Sequence, residues 1–107
     1  MTKNESQDST GKSPAAKEFE YVLRLYISGA STNSVKAVNN IKQICEGHIK
    51  NKYILEVIDV HQQQKLAEKE QLIALPMLIR KKPLPEKKLI GDMSDTKKVL
   101  KGLGLPV

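Results

Sequence analysis

The sequence predicts a single α/β domain with the element order βαβαββα. Two nearly continuous apolar runs, at residues 19–27 and 52–60, flank a segment whose apolar side chains recur at steps of three and four. This strand, helix, strand order predicts a βαβ unit with parallel strands. The chain has 107 residues, enough for one domain of ordinary size, which excludes a multidomain enzyme.

The first half of the chain supplies the βαβ unit. The run Phe19–Ile27 is rich in β-branched and aromatic residues and contains few polar ones, which favours a central strand buried on both faces. After Gly29, residues 31–33 offer side-chain oxygens that can cap a helix, and this helix is expected to end near Gly47. The second strand is predicted from about Lys52 to Val60. The predicted apolar face of the helix contains Val35, Val38, Ile41, Ile44 and Cys45.

A second helix and a third strand are predicted next. Good helix formers fill the stretch Gln62–Gln71, and the helix predicted there turns Leu66 and Ile73 inward. Residues 74–80 are predicted to form a short strand that Pro76 opens.

The end of the chain predicts a hairpin and a closing helix. After a turn rich in proline, Lys88–Gly91 is predicted to pair back as an antiparallel edge strand. Ser94 can cap the last helix, and Asp95 favours its positive end. The predicted apolar side of this helix contains Val99, Leu100 and Leu103, and the residues predicted to end it are Gly102, Gly104 and Pro106.

Most of the positive charge lies in one third of the chain. Lys and Arg number 18 against 12 Asp and Glu, a net charge of +6, and residues 77–107 hold eight basic and three acidic side chains, or +5. A basic segment of this kind is typical of a protein that binds nucleic acid or an acidic partner. The alternative interpretation is a solvated face that keeps a small domain soluble. Nucleic-acid binding is the less favoured interpretation, because all four aromatic residues lie in predicted strands rather than on stacking platforms.

Residues 1–18 are polar and lack an apolar period, so we predict a disordered tail followed by a folded domain at 19–107. No apolar run approaches the roughly 20 residues of a membrane span, and no apolar signal core follows Met1. The single cysteine, Cys45, fits a reducing compartment. The chain is therefore expected to be a soluble cytoplasmic protein.

The predicted order βαβαββα is that of the thioredoxin-like fold, which indicates where redox chemistry would lie. In thioredoxins, a Cys-x-x-Cys motif at the start of the first helix uses the helix dipole to lower a thiol pKa. Residues 28–34 of this chain read SGASTNS, so disulfide exchange at that turn is excluded. Cys45 is predicted to be a buried structural thiol.

Other signals of an enzyme are poor. His48 and His61 are isolated in the sequence and are predicted to be surface residues, so no metal site is expected. Asp59 is predicted to cap the turn after the second strand, and Gly29 alone does not make a phosphate-binding loop. We predict no enzymatic activity and no cofactor. A thioredoxin-like redox protein and a basic nucleic-acid-binding domain are the alternatives.

An ordered series of short motifs resembles the KaiB family of circadian clock proteins over about residues 19–105. The motifs are YVLRLYISG at 21–29, NSVKA at 33–37, VIDV at 57–60, LAE at 66–68, ALPML at 74–78 and LIGDMS at 89–94. The resemblance implies a non-enzymatic regulatory protein whose partner is KaiC, a hexameric ATPase and autokinase. KaiB-like proteins also occur in bacteria without a full clock, and this implies stress adaptation as the alternative to a circadian role.

The resemblance also implies two folds for one sequence. One is a ground state of order βαββααβ that forms a homo-oligomer, either a dimer or a tetramer, and the other is a thioredoxin-like state that binds KaiC. Short segments interrupted by proline and glycine after residue 61 fit two packings that differ by only a few kcal/mol. In the thioredoxin-like state, Pro76 matches the position of a cis proline.

The KaiC-binding face implied by the resemblance carries basic side chains on the second strand and in the following helix. The matching positions of this chain are Glu56 and Gln71, and a changed charge at a docking face alters which partner it accepts. The positions predicted to affect docking or switching are Tyr21, Glu56, Gln71, Pro76 and Gly102.

Overall fold

The structure is a computed structural model that describes residues 19–72 and 74–107. The described elements are β1 (Tyr21–Ile27), α1 (Thr32–His48), β2 (Tyr53–Asp59), α2 (Gln64–Lys69), β3 (Met77–Lys82), β4 (Lys87–Ile90) and α3 (Thr96–Leu103). Their order is the predicted βαβαββα. The predicted tail at 1–18 and the predicted inward position of Ile73 lie outside the described residues.

Four strands form one mixed sheet in the order β2-β1-β3-β4. β1 is parallel to β2 and antiparallel to β3, and β4 pairs antiparallel with β3 at the far edge. The predicted central strand, parallel βαβ unit and closing hairpin are therefore confirmed.

The two faces of the sheet carry two separate apolar cores. On the helical face, Leu23, Leu25 and Leu78 pack with α1 and α3. On the opposite face, Tyr26, Ile58, Met77 and Ile79 form a smaller core, against which partly buried side chains of the α2 region (64–72, 74 and 75) pack. We call this second side the open face.

Helix α1 begins where its cap was predicted. The Ser31 side chain accepts a hydrogen bond from the Ser34 backbone N–H at 3.3 Å. The prediction that Val35 faces the core is wrong, because its side chain is 48% exposed and Ala37 is fully buried instead. Val35 precedes Ala37 by two positions, which places the two side chains on nearly opposite sides of a helix.

The two ends of helix α3 differ from the prediction. Its N-cap is Asp95 rather than Ser94, and the Asp95 carboxylate accepts a hydrogen bond from the Lys98 N–H at 3.2 Å. Gly102 lies inside the helix rather than at its end. Gly104, with a left-handed φ of 81°, is the residue that ends it.

Gly102 lies where α3 crosses the edge strand β4. A Cβ atom added to Gly102 would lie 2.6 Å from Leu89 Cδ1, closer than ordinary Cβ contacts. Without that neighbour, alanine in a helix interior is favoured over glycine by about 1 kcal/mol.

We therefore expect Gly102→Ala to be more favourable in a Leu89→Ala background than in the wild type, with a coupling of about 1 kcal/mol. Chemical denaturation of the wild type, both single variants and the double variant measures this coupling. Strictly additive free energies of unfolding would contradict the close approach of α3 and β4.

Candidate functional site

The turn between β1 and α1 is the place where a thioredoxin carries its thiols, and here it is held by hydroxyl groups. The Ser28 backbone N–H donates to Ser34 Oγ at 3.1 Å, and Ser31 Oγ donates to Ser34 Oγ at 2.8 Å. Ser34 is buried. The polar groups of this turn are thus engaged in its own structure.

The end of β2 braces the same turn. Asp59 Oδ1 accepts hydrogen bonds from the His61 backbone N–H at 2.9 Å and from the Gly29 N–H at 3.3 Å, which confirms the predicted capping role of Asp59. His61 is exposed, as predicted, but it is not isolated, because its Nε2 lies 3.0 Å from Ser28 Oγ. Within residues 19–72 and 74–107, no cluster of three or more His, Cys, Asp and Glu side chains could hold a metal ion.

Cys45 is fully buried on the inner side of α1, as predicted. Burial in this apolar core raises the pKa of the thiol to about 12, with a smaller contribution from the neighbouring Glu46 carboxylate. At neutral pH the group is a protonated thiol without access to solvent, which is unsuited to nucleophilic chemistry.

The open face carries a continuous chain of ion pairs. On β1 and β2, Arg24 Nε lies 2.9 Å from Glu56 Oε1. Glu70, just after α2, places Oε2 3.5 Å from Arg24 Nη1 and 2.7 Å from the Nζ atom of Lys81 on β3. Lys81 Nζ also lies 3.2 Å from Glu86 Oε2 in the β3–β4 turn. These five side chains, which we call the ion-pair chain, connect three strands to the α2 region.

The middle and the ends of the ion-pair chain differ in exposure. The Glu70 side chain in the middle is 12% exposed, whereas the side chains of Glu56 and Glu86 at the two ends are 52% and 45% exposed. The hydrogen bond from Lys81 lowers the pKa of Glu70 and, in return, raises the pKa of Lys81. Glu70 is therefore firmly ionised at neutral pH, while Glu56 is accessible to another molecule.

A cleft of about 620 Å³ lies beside the α2 region. It is lined by residues of the α2 region, including Gln71, Leu72 and Leu75, and by Ser28 and Val60. Gln71 is exposed and has a left-handed φ of 53°.

The five predicted docking or switching positions fall into two pairs and one separate residue. Glu56 and Gln71 are linked across the open face, because Gln71 follows Glu70 and Arg24 bridges Glu70 to Glu56. Tyr21 packs against the core of the helical face, and Gly102 lies in α3 on that same face. Pro76 precedes β3, and its peptide bond with Leu75 is cis.

Sequence reasoning missed four members of the ion-pair chain, namely Arg24, Glu70, Lys81 and Glu86. A signal was available for the first, since Arg24 is the one charged residue in the apolar strand β1 and it pairs in register with Glu56. No comparable local signal distinguishes Glu70 from the other charged residues of 65–70.

Part of the basic end of the chain is structural rather than free for binding. Arg80 is buried, and its guanidinium donates to the Gly102 carbonyl at 3.1 Å and to the Pro85 carbonyl at 2.7 Å. Lys81 belongs to the ion-pair chain. By contrast, Lys97, Lys98 and Lys101 are exposed on α3.

Among the helices of residues 19–72 and 74–107, none combines the length and the apolar character that crossing a bilayer requires.

Fold and site together define a thioredoxin-like domain whose first turn carries serine hydroxyls instead of thiols and whose open sheet face carries charge. Residues 24–105 match the family model described as the KaiB domain. This chain belongs to the KaiB family, as the motif series predicted.

Curated relatives agree with this assignment. The chain is 48% identical to the circadian clock oscillator protein KaiB of Picosynechococcus sp. over 85 residues, which cover 79% of this chain and 82% of that protein. It is 46% identical to the KaiB of Prochlorococcus marinus subsp. pastoris over 85 residues, covering 79% of each.

Solved structures confirm the thioredoxin-like fold. The N-terminal domain of Synechococcus elongatus SasA matches with a TM-score of 0.66 and 25% identity, covering 90% of this chain and 94% of that one. The thioredoxin Deadhead of Drosophila melanogaster matches with a TM-score of 0.68 and 14% identity, covering 84% and 83%, and this likeness shows the fold alone.

The burial of Cys45 predicts a thiol that does not react in the native protein. We expect a disulfide reagent such as DTNB to label the folded chain at least about 100-fold more slowly than the chain unfolded in guanidinium, because thiolate and access are both lacking. Labelling of the native protein at the rate of free cysteine, or insulin reduction that Cys45→Ala abolishes, would contradict this.

Proposed function

We propose that this chain is a non-enzymatic regulatory protein that docks on a KaiC-type ATPase in circadian or stress-adaptation signalling. Membership of the KaiB family, whose relatives are named circadian clock oscillator proteins, is the observation that carries the proposal. The buried Cys45 supports binding over thiol chemistry.

The edge strand β2 and the neighbouring part of the open face are the proposed docking surface. Glu56 lies there beside Ile54, which is 40% exposed and on the same face of the strand. Val57, also 40% exposed, lies on the other face of this edge strand. Exposed aliphatic side chains on both faces of an edge strand that also carries a charge suit a protein partner, for which apolar area provides affinity and the charge provides specificity. Gln71 extends the same surface at the end of α2.

The other predicted positions are assigned supporting roles. Tyr21 begins β1, and its N–H donates to the Lys52 carbonyl at 3.0 Å, so it fixes the start of the docking strand β2 beside it. Pro76 and Gly102 lie at the two ends of the region 76–102 and are proposed to affect switching rather than contact with the partner.

Glu56 provides the test of the docking surface. We expect Glu56→Lys to weaken binding to the KaiC homologue of the same organism about tenfold, or about 1.4 kcal/mol, because it reverses the exposed charge and places a cation beside Arg24. Glu20→Lys, an exposed site outside the sheet with the same charge change, is the matched control.

Pull-down and titration are carried out in the presence of ATP and of ADP, over a range of temperatures. The absence of a wild-type complex in every condition would refute the KaiC partnership. Equal affinities for both variants would instead refute the position of the docking surface.

We also propose that this fold is one of two states, the other being the βαββααβ homo-oligomer implied by the family. The second half of the chain is built of short elements, and polar contacts such as Arg80 to the Gly102 carbonyl and Lys81 to Glu70 join them in addition to apolar packing. Short segments interrupted by proline and glycine after residue 61 support a small free-energy difference between two packings.

Slow exchange in backbone NMR spectra tests the second state. We expect two resonance sets for residues 61–105, whose relative populations change with protein concentration because one state is oligomeric. A single set at all concentrations, both in the wild type and in Gly102→Ala, would contradict the two-state proposal.

A further inference from the structure

The described residues of the segment 64–75, namely 64–72, 74 and 75, comprise α2 and part of the loop after it. Helix α2 has six residues, lacks a side-chain N-cap and contains no fully buried residue. Among these described residues, the partly buried Leu66, Leu72 and Leu75 pack against the apolar core of the open face. Clefts of about 600 and 620 Å³ adjoin the segment. Polar contacts add to this apolar packing in fixing the position of the described residues.

Glu70 supplies most of these polar contacts. Its carboxylate lies 2.7 Å from Lys81 Nζ on β3 and 3.5 Å from Arg24 Nη1 on β1. Its backbone carbonyl accepts a hydrogen bond from Lys88 Nζ of β4 at 3.4 Å. One residue of the segment is thus held by three strands of the sheet. The carboxylate is largely withdrawn from water, so its pairs are less screened than those of an exposed surface bridge.

Gln71 is placed directly by this attachment. It follows Glu70, adopts a left-handed φ of 53°, and its N–H donates to the Glu68 carbonyl at 3.1 Å. A glutamine rarely adopts this conformation unless its surroundings hold it there. Of its two neighbours, Glu70 is fixed to the sheet by ion pairs and Leu72 by apolar packing.

We propose that Glu70 is a positioning residue, whose ion pairs to Arg24 and Lys81 hold the segment 64–75 on the sheet and so present Gln71 to the protein partner. This inference rests on the proposed function, because Gln71 is taken there as part of the docking surface. Glu70 itself is directed into the sheet face and acts through Gln71.

The last turn of α2, two positions before Glu70, offers a matched control. Glu68 is exposed, and in the described residues it makes no ion pair. Glu70→Gln and Glu68→Gln therefore remove the same charge two positions apart, and only the first removes the attachment. Glutamine keeps the volume of the side chain but cannot neutralise two cations.

Hydrogen exchange of the full-length chain is the first measurement. We expect Glu70→Gln to increase exchange of the amides of residues 67–72 about tenfold, since local opening frees the segment without global unfolding. Exchange in α1 stays unchanged in both variants, and Glu68→Gln leaves residues 67–72 as in the wild type. Equal protection in the two variants would overturn the proposal.

Binding to the hexameric KaiC homologue of the same organism is the second measurement. We expect Glu70→Gln to weaken binding about tenfold and Glu68→Gln to change it less than twofold. If the wild type binds and the two variants bind alike, the positioning role fails while the proposed function stands. If the wild type does not bind, the proposed function fails and the presentation of Gln71 fails with it.

A variant on the opposite side of the pair guards against a folding defect in Glu70→Gln. Lys81→Gln removes the shortest contact from β3, and we expect it to reproduce the loss of protection in 67–72. In the double variant the two effects should be less than additive, because both remove one interaction. Full additivity would show that Glu70 and Lys81 act separately and would overturn the proposal.

Discussion

The pairing of β1 on both of its edges is the constraint on which the rest of the structure depends. β1 is hydrogen-bonded to β2 on one side and to β3 on the other, and its alternate residues face two different cores. Leu23 and Leu25 turn toward α1 and α3, while Arg24 and Tyr26 turn toward the open face. A slip of one residue would bury Arg24 among the helices and expose Leu25, so the register is strongly specified. The position of the ion-pair chain follows from this alternation.

Local signals were sufficient to predict the elements that β1 organises. The continuous apolar run of β1 and the serine before α1 each act within a few residues, and both predictions are confirmed. The predictions that fail concern choices made by tertiary contacts. Val35 is as apolar as its neighbours, but α1 turns Ala37 to the sheet instead. Glycine is typical of a helix end, yet Gly102 lies inside α3, where the absence of a side chain allows α3 to pass close to Leu89. The residues next to Val35 and Gly102 in the sequence do not determine these tertiary contacts.

The candidate site was predictable only in part for the same reason. Glu56 and Gln71 were identified through the family resemblance, whereas Arg24, Glu70 and Lys81 were not. The partners Arg24 and Glu56 are 32 residues apart, and Lys81 and Glu70 are 11 apart, so no helical or hairpin spacing joins them. The structure also shows that part of the positive charge at residues 77–107 is used inside the domain. Arg80 and Lys81 are used internally, and the exposed lysines of α3 lie on the other side of the sheet from the ion-pair chain.

The distribution of polar groups disfavours thiol chemistry at the two places in this thioredoxin-like frame where it could occur. At the turn before α1, hydroxyl groups and the Asp59 carboxylate accept hydrogen bonds from backbone amides. Residues 28–34 contain no cysteine, so the helix N-terminus has no thiolate to stabilise. The lone thiol is buried with a raised pKa, and burial of that kind opposes the charged form required for exchange. Charge is concentrated instead on the open face, in pairs whose inner members are partly withdrawn from water and whose outer members, Glu56 and Glu86, are exposed. Partly buried pairs of this kind fix geometry more than they add stability, because desolvation offsets part of their attraction. The inner pairs therefore suit the positioning of the α2 region, and the exposed end suits discrimination between partners.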